Sequence, residues 1–139
     1  VSQQNRMRVF VALHEEGVTP LGFYCLSFLN EDSRKLTGAD KDIWASGVPF
    51  VYIGYLAVQR SCQCAGLGTM MLVDCLRRAH WISHHVAFYG VALRSLNERT
   101  TELYQKFGFA LAPGEGRLPL MILPVWSVND LFSAEPPPP

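Results

Sequence analysis

The segment Gln63-Cys64-Ala65-Gly66-Leu67-Gly68-Thr69 carries the chemistry most readily legible in this 139-residue chain. It follows an apolar, β-rich run, Val51–Val58, and precedes residues at helical spacing, so a helix start is placed directly after a strand. Such a start presents several backbone N–H groups that have no partner inside the helix, and the aligned peptide dipoles add partial positive charge there. Gly66 and Gly68 remove Cβ atoms where a phosphate must approach the backbone closely. The ligand this predicts is a diphosphate held without any lysine. A magnesium-dependent nucleotide loop is excluded, since no Gly-Lys-Ser/Thr ending and no acidic strand accompany the glycines. Taken alone, the glycine pair would also fit a plain helix cap.

Other reactive side chains point less clearly to chemistry. His80 and His84 stand one helical turn apart, but no carboxylate or cysteine nearby in sequence completes a metal set, and a solvated helix end is the expected setting. Cys62 and Cys64 flank Gln63, and the helix start would lower the Cys64 pKa, which leaves a covalent acyl-cysteine route conceivable in second place. The four cysteines match no zinc spacing, and no metal is expected. Tyr104 falls on an apolar stripe with Leu103 and Phe107, which by itself reads as core. Met70 and Met71 read as core filler, and Arg77 and Arg78 as solvated helix arginines. Trp44, Trp81 and Trp126 read as core or interface anchors; an exposed tryptophan cluster would point to a homodimer.

The elements that must position these groups follow from the hydrophobic periodicity. Arg6–His14 and Val18–Leu29, separated by Glu15-Glu16-Gly17, predict an antiparallel hairpin. Asn30–Gly47 is polar and reads as an irregular connection. Val48–Val58 is apolar almost throughout, as in a strand covered on both faces. Leu72, Cys75, Leu76, Ala79 and Ile82 then recur at helical spacing. Val86–Leu93 predicts a further strand. Asn97 caps a second helix with Thr100, Leu103, Tyr104 and Phe107 on its apolar face, and Gly108 stops it. Leu118–Val125 predicts a last strand whose Pro119 and Pro124 suit an edge or an exposed end. Asn129–Phe132 reads as a short turn. The order β-β-β-α-β-α-β implies a mixed α/β sheet with helices packed on it.

Composition bounds the rest. The length suits one domain, residues 1–139, with about 1–5 and 133–139 expected to be flexible. Twelve basic residues balance twelve acidic ones, so no global field recruits nucleic acid or an acidic membrane. No apolar run reaches the roughly 18 residues of a membrane span. With few cysteines and no signal peptide the chain reads as cytoplasmic, its thiols reduced.

Gln63-x-x-Gly66-x-Gly68, with Leu56-Ala57-Val58 on the preceding strand and an amphipathic helix after it, resembles the acetyl-CoA motif of the GNAT superfamily of N-acetyltransferases. Asn97, Tyr104, Gly108 and Phe109 stand in the order Asn-x6-Tyr-x3-Gly-Phe that follows the next strand in that superfamily. The resemblance covers about Arg6 to Val125. It implies a mostly antiparallel sheet with a parted edge, flanked by helices, beginning near the family's second strand and so lacking the usual N-terminal strand and helices. It also implies acetyl-CoA as co-substrate and an amine acceptor, joined in a ternary complex. Leu56, Ala57 and Val58 would pair with the pantetheine arm, with the Val58 N–H polarising the thioester carbonyl. Gln63, Cys64, Ala65, Gly66, Leu67, Gly68 and Thr69 would bind the pyrophosphate. Tyr104 would be the general acid for the leaving thiolate, and Asn97 would hydrogen-bond the pantetheine or an ordered water. No residue stands out as a general base.

Tyr55-Leu56-Ala57-Val58-x-x-Ser61-x-Gln63 and Asp74-x-Leu76-Arg77-Arg78-Ala79 further resemble the branch of acetyltransferase toxins from toxin–antitoxin pairs. That likeness implies acetylation of aminoacyl-tRNA and a ribbon-helix-helix antitoxin as partner. A catalytically idle acyl-CoA-binding or protein-interaction module on the same scaffold is the alternative from another class.

Overall fold

The computed structural model describes residues 7–13, 17, 19–32, 34, 36, 38, 40, 43–44, 46–59, 66–113 and 118–135. Its strands are β1 (Arg8–Leu13), β2 (Pro20–Glu31), β3 (Val48–Val58), β4 (Gly90–Arg94), β5 (Ala110–Leu111) and β6 (Leu120–Pro124). Its helices are α1 (Leu67–Ser83), α2 (Glu98–Lys106) and α3 (Val125–Leu131). The strands form one sheet in the order β1-β2-β3-β4-β6-β5, antiparallel except where β3 meets β4. This is the mixed, mostly antiparallel sheet with flanking helices that the sequence implied.

Two cores sandwich the sheet. On one face α1 inserts Met71, Leu72, Cys75, Leu76 and Ala79, and α3 adds Val128, against Tyr24, Leu26, Val51, Ile53, Val91 and Leu93. The predicted apolar stripe of α1 is thus the buried one. On the other face Val48, Phe50, Ala92, Leu120 and Ile122 pack with Leu36, Tyr89 and Trp44, so β4 and the first half of β3, Val48–Ile53, are covered on both sides, whereas Gly54, Tyr55 and Ala57 of β3 are exposed. Tyr89 is buried on this face, and its hydroxyl donates to Asp40 at 2.8 Å.

Three readings of the chain change. The run Val86–Leu93 becomes a strand only at Gly90, because Phe88 and Tyr89 enter the two cores from a loop while Val86 stays exposed. Gly90 marks the place where β4 and β6 come together: a Cβ there would lie 2.4 Å from the Leu123 carbonyl oxygen. Of the segment read as a turn at Asn129–Phe132, Asn129–Leu131 belong to helix α3, whose Val128 is fully buried, and Phe132 caps its end; a seven-residue helix offers too few turns to show its period. The pair Ala110–Leu111 forms β5 against β6, too short to show alternation. Glu135 accepts from the Arg77 Nε at 3.2 Å, which ties Glu135 to α1; residues 1–6 and 136–139 lie outside the described residues.

Helix α2 starts on a reciprocal cap. The Thr100 N–H donates to Asn97 Oδ1 at 2.9 Å, and the Asn97 N–H donates to Thr100 Oγ1 at 3.2 Å. Gly108, at φ +101°, then turns the chain out of the helix, a conformation that suits glycine. Asn97→Ala should therefore cost about 1 kcal/mol in a denaturant titration, whereas Asn97→Asp keeps the acceptor and should be close to neutral. Equal losses in the two variants would show that the cap is not what Asn97 contributes to stability.

Candidate active site

The sheet forks between β3 and β4. Their parallel pairing runs from Phe50↔Gly90 to Ile53↔Leu93 and goes no further. β4 ends one residue later, and Ser95-Leu96-Asn97 leads into α2, while β3 continues through Gly54–Val58 against β2 alone. A bulge sits at the branching point: Cys25 pairs with Tyr55 and Leu26 with Ile53, so Gly54 is left without a partner across from it. A bulge resets the side-chain alternation and increases the local twist. Val51 and Ile53 belong to the core beneath α1, and past Gly54 it is Leu56 and Val58 that pack against it.

The backbone of this arm is oriented by its ladder. The Gln59 N–H donates to the Leu21 carbonyl at 2.7 Å. Because N–H groups alternate sides along an antiparallel strand, the Leu56 and Val58 N–H groups are turned away from β2, toward the parted side.

A cleft of about 580 Å³ fills the fork. Gly54, Tyr55, Leu56 and Ala57 line it from β3; Leu93, Arg94 and Leu96 line it from the β4 arm; Tyr104 of α2 reaches it as well. Tyr104 is half-buried, with its ring tilted against Phe109 at 5.9 Å between centroids. Among the described residues its hydroxyl makes no hydrogen bond. Burial first, and then the nearby Cys75 thiol, push the phenol's pKa above its ordinary value, so it holds its proton.

Helix α1 begins beside the end of β3. Gly66 precedes it at φ +80°, ψ +6°, a conformation L side chains rarely adopt. Gly66 has no side chain with which to cap the helix, and the first turn holds no acidic residue, in contrast to the capped start of α2. Among the described residues a Cβ on Gly66 would meet nothing within 4 Å, and one on Gly68 would lie 3.6 Å from Val58 Cγ2. The helix start therefore packs on the end of the β3 arm. Thr69 is exposed in the first turn. Gln63, Cys64 and Ala65, together with Cys62, lie outside the described residues.

The fork thus brings together Leu56, Ala57 and Tyr104, with Val58 and Gly66–Thr69 adjoining at the end of the arm. Asn97 is not among the residues lining the cleft, and its side-chain oxygen is committed to the cap of α2. Sequence reasoning missed Tyr52, Tyr55, Cys25 and Arg94 at the cleft, since nothing local in the chain says which strands lie beside the fork.

Several other groups are placed differently from expectation. His80 is buried rather than solvated: its Nδ1 is 2.7 Å from Asn129 Oδ1 and its ring stacks on Phe132. His84 Nδ1 lies 2.9 Å from the His80 carbonyl. Among the described residues no group of three or more histidine, cysteine, aspartate or glutamate side chains gathers to hold a metal ion. Arg78 is not simply solvated. It lies 4.0 Å over the Phe10 ring, donates to the Tyr24 hydroxyl at 2.8 Å and pairs with Asp74, to which Tyr24 also donates. Met71 is core, whereas Met70 is exposed. A second hollow, of about 620 Å³, lies between β1, β2 and the far end of α1. It holds none of the candidate groups, and the Arg78 that lines it is already engaged. Among the described residues no helix is long and apolar enough to cross a membrane.

A sheet that parts beside a glycine-led helix, with a tyrosine in the gap, is the frame of an acyl-CoA-dependent acetyltransferase, and comparison with known proteins agrees. The chain belongs to the acetyltransferase (GNAT) family, whose sequence profile matches residues 2–109. It is an N-acetyltransferase that takes acetyl-CoA as its co-substrate. It is similar to a probable toxin TacT of Sinorhizobium fredii (strain NBRC 101917 / NGR234), 27% identical over 147 residues that span 95% of this chain and 77% of the relative. Among solved structures it is similar to AtaTR bound with acetyl-CoA, at 25% identity and a TM-score of 0.78, over 94% of this chain and 77% of that one. AtaT complexed with acetyl-methionyl-tRNAfMet shares the fold at a TM-score of 0.83 and 24% identity, over 94% of this chain and 78% of that one. The relatives thus include a probable toxin and a structure solved with acetyl-CoA bound.

Proposed function

We propose that the chain transfers the acetyl group directly from acetyl-CoA to a primary amine in a ternary complex, with Tyr104 as the general acid. The observation that carries this reading is the shared cleft: Gly54–Ala57 of β3 and the Tyr104 side chain line one cavity at the fork. Leu56 and Val58 direct N–H groups toward the parted side, so that arm can pair with the amides of pantetheine as an added strand would. Val58 N–H would polarise the thioester carbonyl. Gly66, Leu67, Gly68 and Thr69, with Gln63, Cys64 and Ala65 before them, would receive the pyrophosphate on backbone donors. Asn97 retains its amide nitrogen for the pantetheine or a water, its oxygen being used by the helix.

In the reaction the neutral amine nitrogen bonds to the thioester carbon as the carbon–sulfur bond breaks. Tyr104 gives its proton to the departing sulfur, and the surplus proton of the amine passes through water to restore the tyrosine hydroxyl. No carboxylate or imidazole lines the cleft among the described residues, so the chemistry favours an amine that is neutral at working pH.

The protonated tyrosine is the active form, and its pKa is raised. Activity lost through its ionisation should thus appear only above about pH 10, the ordinary tyrosine value. On the alkaline-going side kcat/KM should climb as the amine loses its proton and then stay level. A descending limb centred near pH 8, following no other group, would remove Tyr104 from the acid role.

Calorimetry with acetyl-CoA and a CoA-release assay over a panel of amines test the whole reading. Tight binding without saturable, enzyme-dependent CoA release from any acceptor would favour the idle acyl-CoA-binding module instead. The similarity to a probable toxin TacT favours a second, finer reading in which the acceptor is the amino group of aminoacyl-tRNA and a ribbon-helix-helix antitoxin is the partner. Adding charged tRNA to the same panel decides the acceptor, and co-expression with the neighbouring gene product decides the partner.

A further inference from the structure

The cleft at the fork holds a single formally charged side chain among the described residues that line it, Arg94, and no carboxylate faces that charge across the cavity. Arg94 closes β4 and directly follows Leu93, the last residue paired with β3, so it stands where the two arms separate. Leu93 packs in the core beneath α1 and Ala92 in the opposite core. Alternation therefore puts Arg94 on the Ala92 side, facing away from α1. Its guanidinium is steadied from two directions. One Nη donates to the Leu118 carbonyl at 3.0 Å, and the other lies 3.8 Å from a Glu31 carboxylate oxygen. The second contact is longer than a hydrogen bond, and Glu31 does not itself line the cleft. Most of the five guanidinium N–H donors are therefore left for a ligand. The side chain is 38% exposed, open enough to be reached and held firmly enough to be aimed. A planar fork of donors in that state suits a bidentate oxyanion.

We propose that Arg94 determines acceptor specificity by binding an oxyanion, phosphate or carboxylate, carried beside the reacting amine, in preference to polycationic amines. The proposal rests on the reading of the cleft as the acetyl-transfer site. An anionic group gains charge-assisted hydrogen bonds there. A second cation on the acceptor gains no such bonds, because the Glu31 carboxylate is turned to Arg94 and does not line the cleft to receive it.

The test uses the full chain and dipeptide C-terminal amides, so that only the side chain supplies an oxyanion and the glycyl amine is the one acceptor: the amides of glycyl-O-phosphoserine, glycyl-glutamate, glycyl-serine and glycyl-lysine, the last trimethylated at its ε-nitrogen. The kcat/KM of each is measured by CoA release at saturating acetyl-CoA, and each is titrated calorimetrically into the CoA-loaded protein. The anionic dipeptides should exceed the serine dipeptide by about tenfold or more, the range of a charge-assisted hydrogen bond, and the lysine dipeptide should not exceed it. Comparing phosphoserine with glutamate shows which oxyanion the site takes. Arg94→Gln should erase the preference through KM, with kcat changing far less, and Arg94→Lys should restore only part of it because the bidentate geometry is lost. Equal use of the anionic and lysine dipeptides, or a preference that survives Arg94→Gln, overturns the proposal. If no dipeptide is acetylated although acetyl-CoA binds, direct transfer to simple amines fails. The anion site still stands in that case if the anionic dipeptides bind preferentially and Arg94→Gln abolishes it, and it falls if they do not.

Discussion

Tyr104→Phe is expected to lower kcat by about 10²- to 10⁴-fold, the usual contribution of a positioned acid, while the acetyl-CoA dissociation constant changes far less. The exchange keeps the ring that packs against Phe109 at 5.9 Å. It removes a hydroxyl that makes no hydrogen bond among the described residues, so no buried partner is stranded and stability should hold within about 1 kcal/mol. The loss therefore belongs to the step in which sulfur leaves. Pre-steady-state measurement with chemistry rate-limiting is the decisive check. Wild-type turnover in a folded Tyr104→Phe protein would return Tyr104 to the role of a core aromatic.

The second large effect is expected at Gly66. Gly66→Glu should weaken acetyl-CoA binding by about a hundredfold or more, since a carboxylate would stand before the helix start where a diphosphate is to sit. Among the described residues space is not the obstacle, because a Cβ there meets none of them within 4 Å. The backbone is: at φ +80° any L side chain is strained by roughly 1–2 kcal/mol. Gly66→Asn separates the two causes. Asparagine tolerates the left-handed region and carries no charge, so that variant should keep most of the affinity at a similar or smaller cost in stability. Titration calorimetry on both, with thermal melts alongside, gives the answer. Unchanged affinity in Gly66→Glu would mean that the glycine only terminates a turn.

Local chemistry determined much of this protein in advance. The apolar spacing of Leu72, Cys75, Leu76 and Ala79 forces a helix to bury that stripe, and all four are buried. Val48–Val58, apolar almost throughout, reads as a strand covered on both faces, and it is covered so over Val48–Ile53; past Gly54 it opens, with Tyr55 exposed. Asn97 and Gly108 bracket the second helix because a cap acceptor and a left-handed exit are properties of single residues. The glycine-led helix start after β3 is equally local, and it was enough to point to a diphosphate ligand. What sequence could not supply is which strand ends lie side by side. The fork exists because β4 stops at Arg94 while β3, bulged at Gly54, runs on to Val58, and those two places are forty residues apart in the chain. Only tertiary packing sets Tyr104 opposite the end of β3, buries His80 against Phe132, seats α3 through Val128 and opens Arg94 into the cleft. Periodicity reports which face of an element is apolar; it carries no term for what that face will meet.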